Sequence, residues 1–337
     1  MATTAKGESI VKRIGLTVWI LAVLICIHSG NLEGAEQPKG KSSKPPISSV
    51  AVSSNGQLLA FGDSTGTVKI IDLDAVDRNR SFRGHRWGVS QVAFSPDGAF
   101  VASGGTDGVL VVWNVASGEE SLRVKISRMG GVTALCFSSD GSMLAAAGGD
   151  ATIGIWKTDS WDKMSTLDQG QLLPATSLGF SPDGKRLYEA RRDGNVGFST
   201  VSTTKHNLLS GNWSMNPPRD MVLGTEENFV YVLVESGRLK KLNIKKREFA
   251  AKFDRGHSDG TTISLSGDGR QILEGSESGE IRIRNAATGK TSRTIKGHVG
   301  PVNQVVPFSN GEKCVSGGAD GSVKIWQLST GKLLRDF

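Results

Sequence analysis

The sequence predicts an all-β fold, a seven-bladed β-propeller of four-stranded antiparallel blades, and three observations predict it. A turn glycine recurs as Gly56, Gly98, Gly141, Gly184, Gly269 and Gly311, with Glu227 in the remaining slot, at intervals of 42 or 43 residues. A second marker, the first residue of a later turn, falls at Thr65, Asp107, Asp150, Asp193, Ser236, Ser278 and Asp320 with the same spacing. Two independent markers sharing one period define internal repeats. Composition agrees: 43 glycines in 337 residues, with 6% aromatic, suit short strands joined by tight turns and not a helical bundle.

In the clearest copy, VSQVAF, AFVASG, VLVVWNV and SLRVKI are β-rich runs separated by SPDG, GTDG and ASGEE, so each copy supplies four strands. Asp-Gly at two of the turns meets their need for positive φ, which Gly adopts freely and Asp tolerates. The first copy opens with an inner strand near Ile47, and the closing GKLLRDF matches GKTSRTI at 289–295 and reads as an outermost strand.

Ahead of the repeats, residues 1–35 read as a signal peptide or N-terminal membrane anchor. Lys6, Lys12 and Arg13 precede residues 14–27, which carry no charge. That apolar run rises about 21 Å as a helix, short of a ~30 Å hydrocarbon core, which favours a cleaved signal. Glu33 is a poor residue before a cut at Ala35, so an uncleaved anchor stays open, and Ile25 is too bulky for Cys26 to make a lipoprotein signal. Residues 36–46 are rich in Pro, Lys and Ser and read as a flexible linker, leaving 47–337 as the propeller. The expected location is outside the cytoplasm, periplasmic or extracellular, with any membrane contact made through residues 14–30.

Gly84-His85 with Asp107 and Trp113, and Gly297-His298 with Asp320 and Trp326, resemble the WD40 family, whose repeat joins a Gly-His pair to an Asp-Gly turn and a following Trp. The resemblance covers residues 46–337. It implies two structural tetrads: His85, Ser103, Asp107 and Trp113, then His298, Ser316, Asp320 and Trp326. In each, Asp orients His, which bonds Ser, which receives the indole N–H. A buried polar group without a partner costs about 1–3 kcal/mol, so these residues are staples and not catalysts. The third copy keeps Asp150 and Trp156, with Arg128 and Ala146 at the His and Ser positions. The fourth keeps only Asp193, the sixth only His257, and the first and fifth have Ile71 and Leu242 at the Trp position. The resemblance also implies closure by the C-terminal strand completing blade 1, which removes exposed sheet edges.

No catalytic residue, cofactor or metal site is expected. Of five histidines, His28 falls in the leader, three hold tetrad positions, and His206 stands alone as a surface residue. Cys136 and Cys314 fall on different blades, too far apart to bond, and read as buried thiols. SGGTDG and SGGADG join strands and do not open a helix, against a phosphate cradle. Asn79-Arg80-Ser81 and Asn212-Trp213-Ser214 match the glycosylation pattern, and Glu274, Glu277 and Glu280 read as a solvated face. The net charge is +7, but the basic cluster Lys240, Lys241, Lys245, Lys246 and Arg247 has no interleaved aromatics, so nucleic acid is not the expected partner.

The resemblance directs attention to one face of the ring, at positions before the inner strand and before the tetrad Asp. The residues preceding the inner strands, Pro46, Gly88, Gly131, Pro174, Pro217, Gly260 and Pro301, read as loop-shaping. The side chains left to make contacts are Arg86, Trp87, Met129, Leu172, Arg192, Met215, Glu235, Asp259 and Glu277, with Lys44 and Val299 beside them. The expected function is a monomeric, non-catalytic scaffold that holds a protein or peptide partner through this face, with Trp87 as its anchor. The rival is a propeller enzyme or a cell-wall or small-ligand binder at the central channel, using Arg192, Glu235 and Glu277.

Overall fold

The computed structural model describes residues 44–167, 173–210, 216–225, 228–250, 253 and 259–337. The leader, most of the 36–46 linker, Leu172, Met215, Glu227, His257 and the Asn212 glycosylation pattern lie outside the described residues.

Among the described residues twenty-eight strands form seven four-stranded antiparallel sheets, each with its strands in chain order. The first strands are Ile47–Val52, Val89–Phe94, Val132–Phe137, Ala175–Phe180, Pro218–Leu223, Gly260–Leu265 and Val302–Pro307. Each packs against the first strands of both neighbouring blades, and the last packs against the first, so they line the centre of a closed ring.

The core is divided among the blade interfaces, one hydrophobic cluster to each. Between blades two and three, for example, Ala102, Leu110 and Val112 meet Leu144, Ala146 and Trp156. A fully buried aliphatic side chain contributes about 1.5–3 kcal/mol, so every interface has its own apolar driving force. The Gly-Gly pairs follow from this packing. A Cβ on Gly104 would lie 2.5 Å from Cγ1 of Val132 in the next blade, and one on Gly105 would lie 2.3 Å from Nδ1 of His85. The first glycine admits the neighbouring blade and the second admits the imidazole.

Closure differs from the expectation. Leu333–Asp336 pairs with Val323–Gln327 in its own blade, and blade one is complete with Arg80–Arg83 as its outer strand. Every repeat begins with an innermost strand and ends with an outermost one, so seven whole units leave no strand to exchange. Side chains close the ring instead. Gln304 Oε1 accepts from Ser49 Oγ at 2.6 Å and from Val50 N at 2.9 Å, and Asn303 Nδ2 donates to Ile47 O at 2.7 Å. Ile47, Val50, Leu59 and Phe61 pack there against Phe308, Val315, Val323 and Ile325.

Cys136 and Cys314 are both unpaired; Cys314 is buried as expected, whereas Cys136 is only half-buried. They sit in the first strand of blade three and the second strand of blade seven, and burial pushes the Cys136 thiol up to about 12 and the Cys314 thiol upward as well.

Candidate interaction face at the mouth of the central channel

The geometry of the mouth begins with a bulge. In all seven blades the pairing register shifts near the start of the first strand, passing over its second residue. A bulge re-aims a side chain, and the residues concerned are Ser48, Ser90, Thr133, Thr176, Arg219, Thr261 and Asn303. Several of them staple neighbouring blades. Ser90 Oγ donates to Val132 O at 2.7 Å, Thr176 Oγ1 to Pro218 O at 3.1 Å, Arg219 Nη1 to Gly260 O at 3.0 Å, and Thr261 Oγ1 to Val302 O.

The loops above are hooked by a bond that repeats around the ring. The backbone N–H groups of Ser64, Thr106, Gly149, Arg192, Glu235, Glu277 and Ala319 donate at 2.8–3.1 Å to the carbonyls of Pro46, Gly88, Gly131, Pro174, Pro217, Asp259 and Pro301. Six of those acceptors are the Gly and Pro residues singled out in the sequence. In blade six the acceptor is Asp259, because Gly260 already opens the strand. Close approach explains the small residues: a Cβ on Gly131 would lie 2.7 Å from the Thr106 Cα.

Beneath these loops blade two holds a continuous polar chain. Trp113 Nε1 donates to Ser103 Oγ at 3.1 Å, Ser103 Oγ lies 2.8 Å from His85 Nε2, and His85 Nδ1 lies 3.3 Å from Asp107 Oδ1. Blade seven repeats it through Trp326, Ser316, His298 and Asp320 at 2.9, 2.7 and 3.0 Å. With the indole donating to Ser, the hydroxyl donates to Nε2 and leaves the Nδ1 proton for the carboxylate, so a neutral imidazole satisfies every partner. Burial pushes both imidazoles below their usual pKa, against the pull of Asp107 and Asp320. Burial raises Asp320, but hydrogen bonds from His298, Ser322 and the Val299 amide outweigh it and hold the carboxyl at about 2.

The other blades depart in ways the sequence reading missed. In blade three Ser127, not Arg128, stands at the histidine position: a Cβ on Gly148 would meet Asp150 and Ser127, as one on Gly105 would meet Asp107 and His85. The Arg128 amide bonds Asp150 as the Arg86 amide bonds Asp107, so the loop is one residue longer there. In blade four Glu189 takes the serine position and Arg191 reaches it at 2.6 Å, the two side chains at most 1% exposed. His206, expected on the surface alone, is 25% exposed and lies 3.0 Å from Glu189. Burial works to raise the Glu189 pKa, but the His206 hydrogen bond and the Arg191 charge outweigh it and lower it.

In blade six Glu274 takes the serine position and Arg284 the tryptophan position, with Arg284 Nε 2.7 Å from Glu274 Oε2. Arg282 Nη1 reaches Glu274 Oε1 at 3.0 Å and Asp259 Oδ1 at 2.6 Å. Glu274 and Glu280 are therefore not a solvated face: Glu274 is fully buried, and Glu280 pairs with Arg282 at 3.0 Å. Asp259 neutralises Arg282, which is 3% exposed.

The remaining face residues divide by chemistry. Trp87, Met129 and Val299, in the loops of blades two, three and seven, are 58%, 65% and 81% exposed, and Leu173 in blade four is 50% exposed. The Arg86 guanidinium lies 5.8 Å from the Trp87 ring. Charge gathers on the other side. Arg192 and Glu235 line one recess of about 660 Å³ with Arg219, and Arg219 Nη1 contacts Glu277 Oε1 at 3.3 Å. Sequence reasoning overlooked Arg219, although aligning the repeats makes it the one charged residue among seven otherwise small polar bulge positions.

Seven blades, a polar-stapled interior and loops gathered at a channel mouth define a β-propeller of repeat origin. The family model described as WD domain, G-beta repeat matches residues 37–72, 77–114, 123–157 and 289–327, so these four repeats are similar to WD40 repeats. Those matches leave out blades four and five and most of six, where Glu189, Val232 and Glu274 stand at the serine position. The chain is 37% identical over 73 residues to periodic tryptophan protein 2 homolog of Dictyostelium discoideum, 21% of this chain and 8% of that one. It is 32% identical over 84 residues to WD repeat-containing protein 1 of Mus musculus, 25% and 14% of the two chains. It is 36% identical over 63 residues to small ribosomal subunit protein RACK1y of Oryza sativa subsp. japonica, 19% of each. The chain thus spans 8–19% of the length of these relatives.

Proposed function

We propose that the protein is a non-catalytic interaction scaffold that holds a protein partner on the channel-mouth face, outside the cytoplasm. The observation that carries this is the set of large apolar side chains, Trp87, Met129 and Val299, each more than half exposed in equivalent loops of separate blades. Exposing an indole to water is costly, and clustered apolar anchors are typical of recognition surfaces. WD40 proteins typically bind protein partners, which supports the same reading. The tetrads make no demand on a substrate: their polar atoms bond one another inside the blades. Export rests on the charged segment and apolar run of residues 1–35.

Affinity purification of the full chain, with mass spectrometry of its partners and its amino terminus, tests both parts. Trp87→Ala and Met129→Ser should release the partner, while Leu333→Ser on an outer strand should retain it. Retention of every partner by the first two variants would overturn the assignment of the face.

A further inference from the structure

We propose that the recess at the channel mouth, lined by blades two to five and charged on blades four and five, binds a small zwitterionic group, one carboxylate and one ammonium held together, of the α-amino-acid class. The recess has a volume of about 660 Å³, and the hydroxyl-bearing Ser90, Thr133 and Thr176 are among its lining residues. Its charged groups are Arg192, Arg219 and Glu235. Among the described residues the Arg192 guanidinium and the Glu235 carboxylate each have no hydrogen-bond or ion-pair partner, although their backbones are fixed by the bonds to Pro174 and Pro217. Two opposite charges on adjacent blades therefore line one concavity without meeting each other.

Arg219 adds a partly engaged guanidinium. Its Nη1 is committed to Gly260 O and Glu277, as the hydroxyls at other bulges are committed to the next blade. Its Nη2 and Nε face no partner among the described residues and are suited to the fork of a carboxylate. A carboxylate between Arg192 and Arg219 with an ammonium on Glu235 would satisfy all three charges, and the lining hydroxyls would take further hydrogen bonds. A simple anion would leave Glu235 opposed and a simple cation would leave Arg192 opposed, so the pairing of charges selects the zwitterion. Trp87, Met129 and Val299 are not among its lining residues, and loss of the Trp87 reading would leave it standing.

Calorimetric titration of the full chain with free L-amino acids tests this. Their N-acetyl and amide derivatives serve as controls that each delete one charge, and a blocked peptide with Asp beside Lys tests whether the pair is presented by a partner segment. Saturable binding is expected for at least one amino acid or for the peptide. Each single-charge control, and each of Arg192→Gln and Glu235→Gln, should weaken it about tenfold or more. Arg192 makes no structural side-chain bond among the described residues, so its variant keeps the test valid if Arg219→Gln fails to fold. Absence of saturable binding by both kinds of probe, or unchanged binding in the Arg192→Gln and Glu235→Gln variants, would overturn the proposal.

Discussion

Replacing Glu274 with alanine should be among the most destabilising single changes in the ring. Glu274 is fully buried and lies between two guanidinium groups, Arg284 at 2.7 Å and Arg282 at 3.0 Å. Arg282 keeps Asp259 and Glu280, but Arg284, 1% exposed, loses its carboxylate partner. Removing one member of a buried ion pair costs about 3–5 kcal/mol, because the other charge is left in a medium of low polarity. Blade five shows how the loss can be offset, since Val232 and Leu242 occupy the equivalent positions and both are fully buried. The double variant Glu274→Val/Arg284→Leu should therefore lie within about 1–2 kcal/mol of the parent, recovering roughly 1–4 kcal/mol of what Glu274→Ala loses. Equilibrium urea denaturation followed by tryptophan fluorescence reads the energies, and hydrogen exchange locates them in blade six. A single variant costing less than about 1 kcal/mol, or a double variant as unstable as the single, would refute the reasoning.

Three further outcomes are expected. His85 and His298 are held below the ordinary 6.5 by burial, so the unfolded chain binds more protons below that value. Their contribution to stability is complete above about pH 6.5 and is lost as the pH falls toward the depressed folded values; a His85→Gln/His298→Gln variant should show a shallower decline between about pH 7.5 and 5.5, and equal slopes would contradict this. The Cys314 thiol, fully buried and raised by that burial, should react with a thiol reagent only as the chain unfolds, and fast labelling of it in the folded protein would show that it is accessible. Deleting residues 332–337 should expose Val323–Gln327 as an edge and lower protection in blade seven while leaving Arg80–Arg83 protected; loss of protection in blade one alone would favour the exchanged-strand closure.

The repeat period and the two full tetrads were legible because each marker answers a local backbone or packing need. The glycine of the Asp-Gly turn adopts positive φ, as at Gly108 with φ 77°, and the indole needs its serine. Blade number follows directly from such markers. The one-residue shift in blade three was not legible, since Ser127 and Arg128 are adjacent and only the Asp150 hydrogen bond distinguishes their places. Glu274 was read as solvated, and Glu189, Arg191 and Arg284 were passed over, because charged residues in a strand normally face water. Their burial depends on a partner that the repeat period does not reveal. The closure was misassigned because an outermost strand looks the same in sequence whichever sheet receives it; the pairing of Trp326 with Leu333 decides it. On the candidate face, loop positions were legible from the period, whereas the commitment of Asp259 to Arg282 and the place of Arg219 in the recess depend on contacts across strands and blades.

If the partner sits on the channel-mouth face, it lies beside Trp87 and away from the outer strands. Photo-cross-linking tests this placement most directly, with the reactive group introduced at position 87 in one variant and at position 333, on the outer strand of blade seven, in another. Both positions are exposed, at 58% and 40%, so access alone does not separate them. Capture of the partner is expected from position 87 and not from position 333. Capture from position 333 alone, or equally from both, would contradict it.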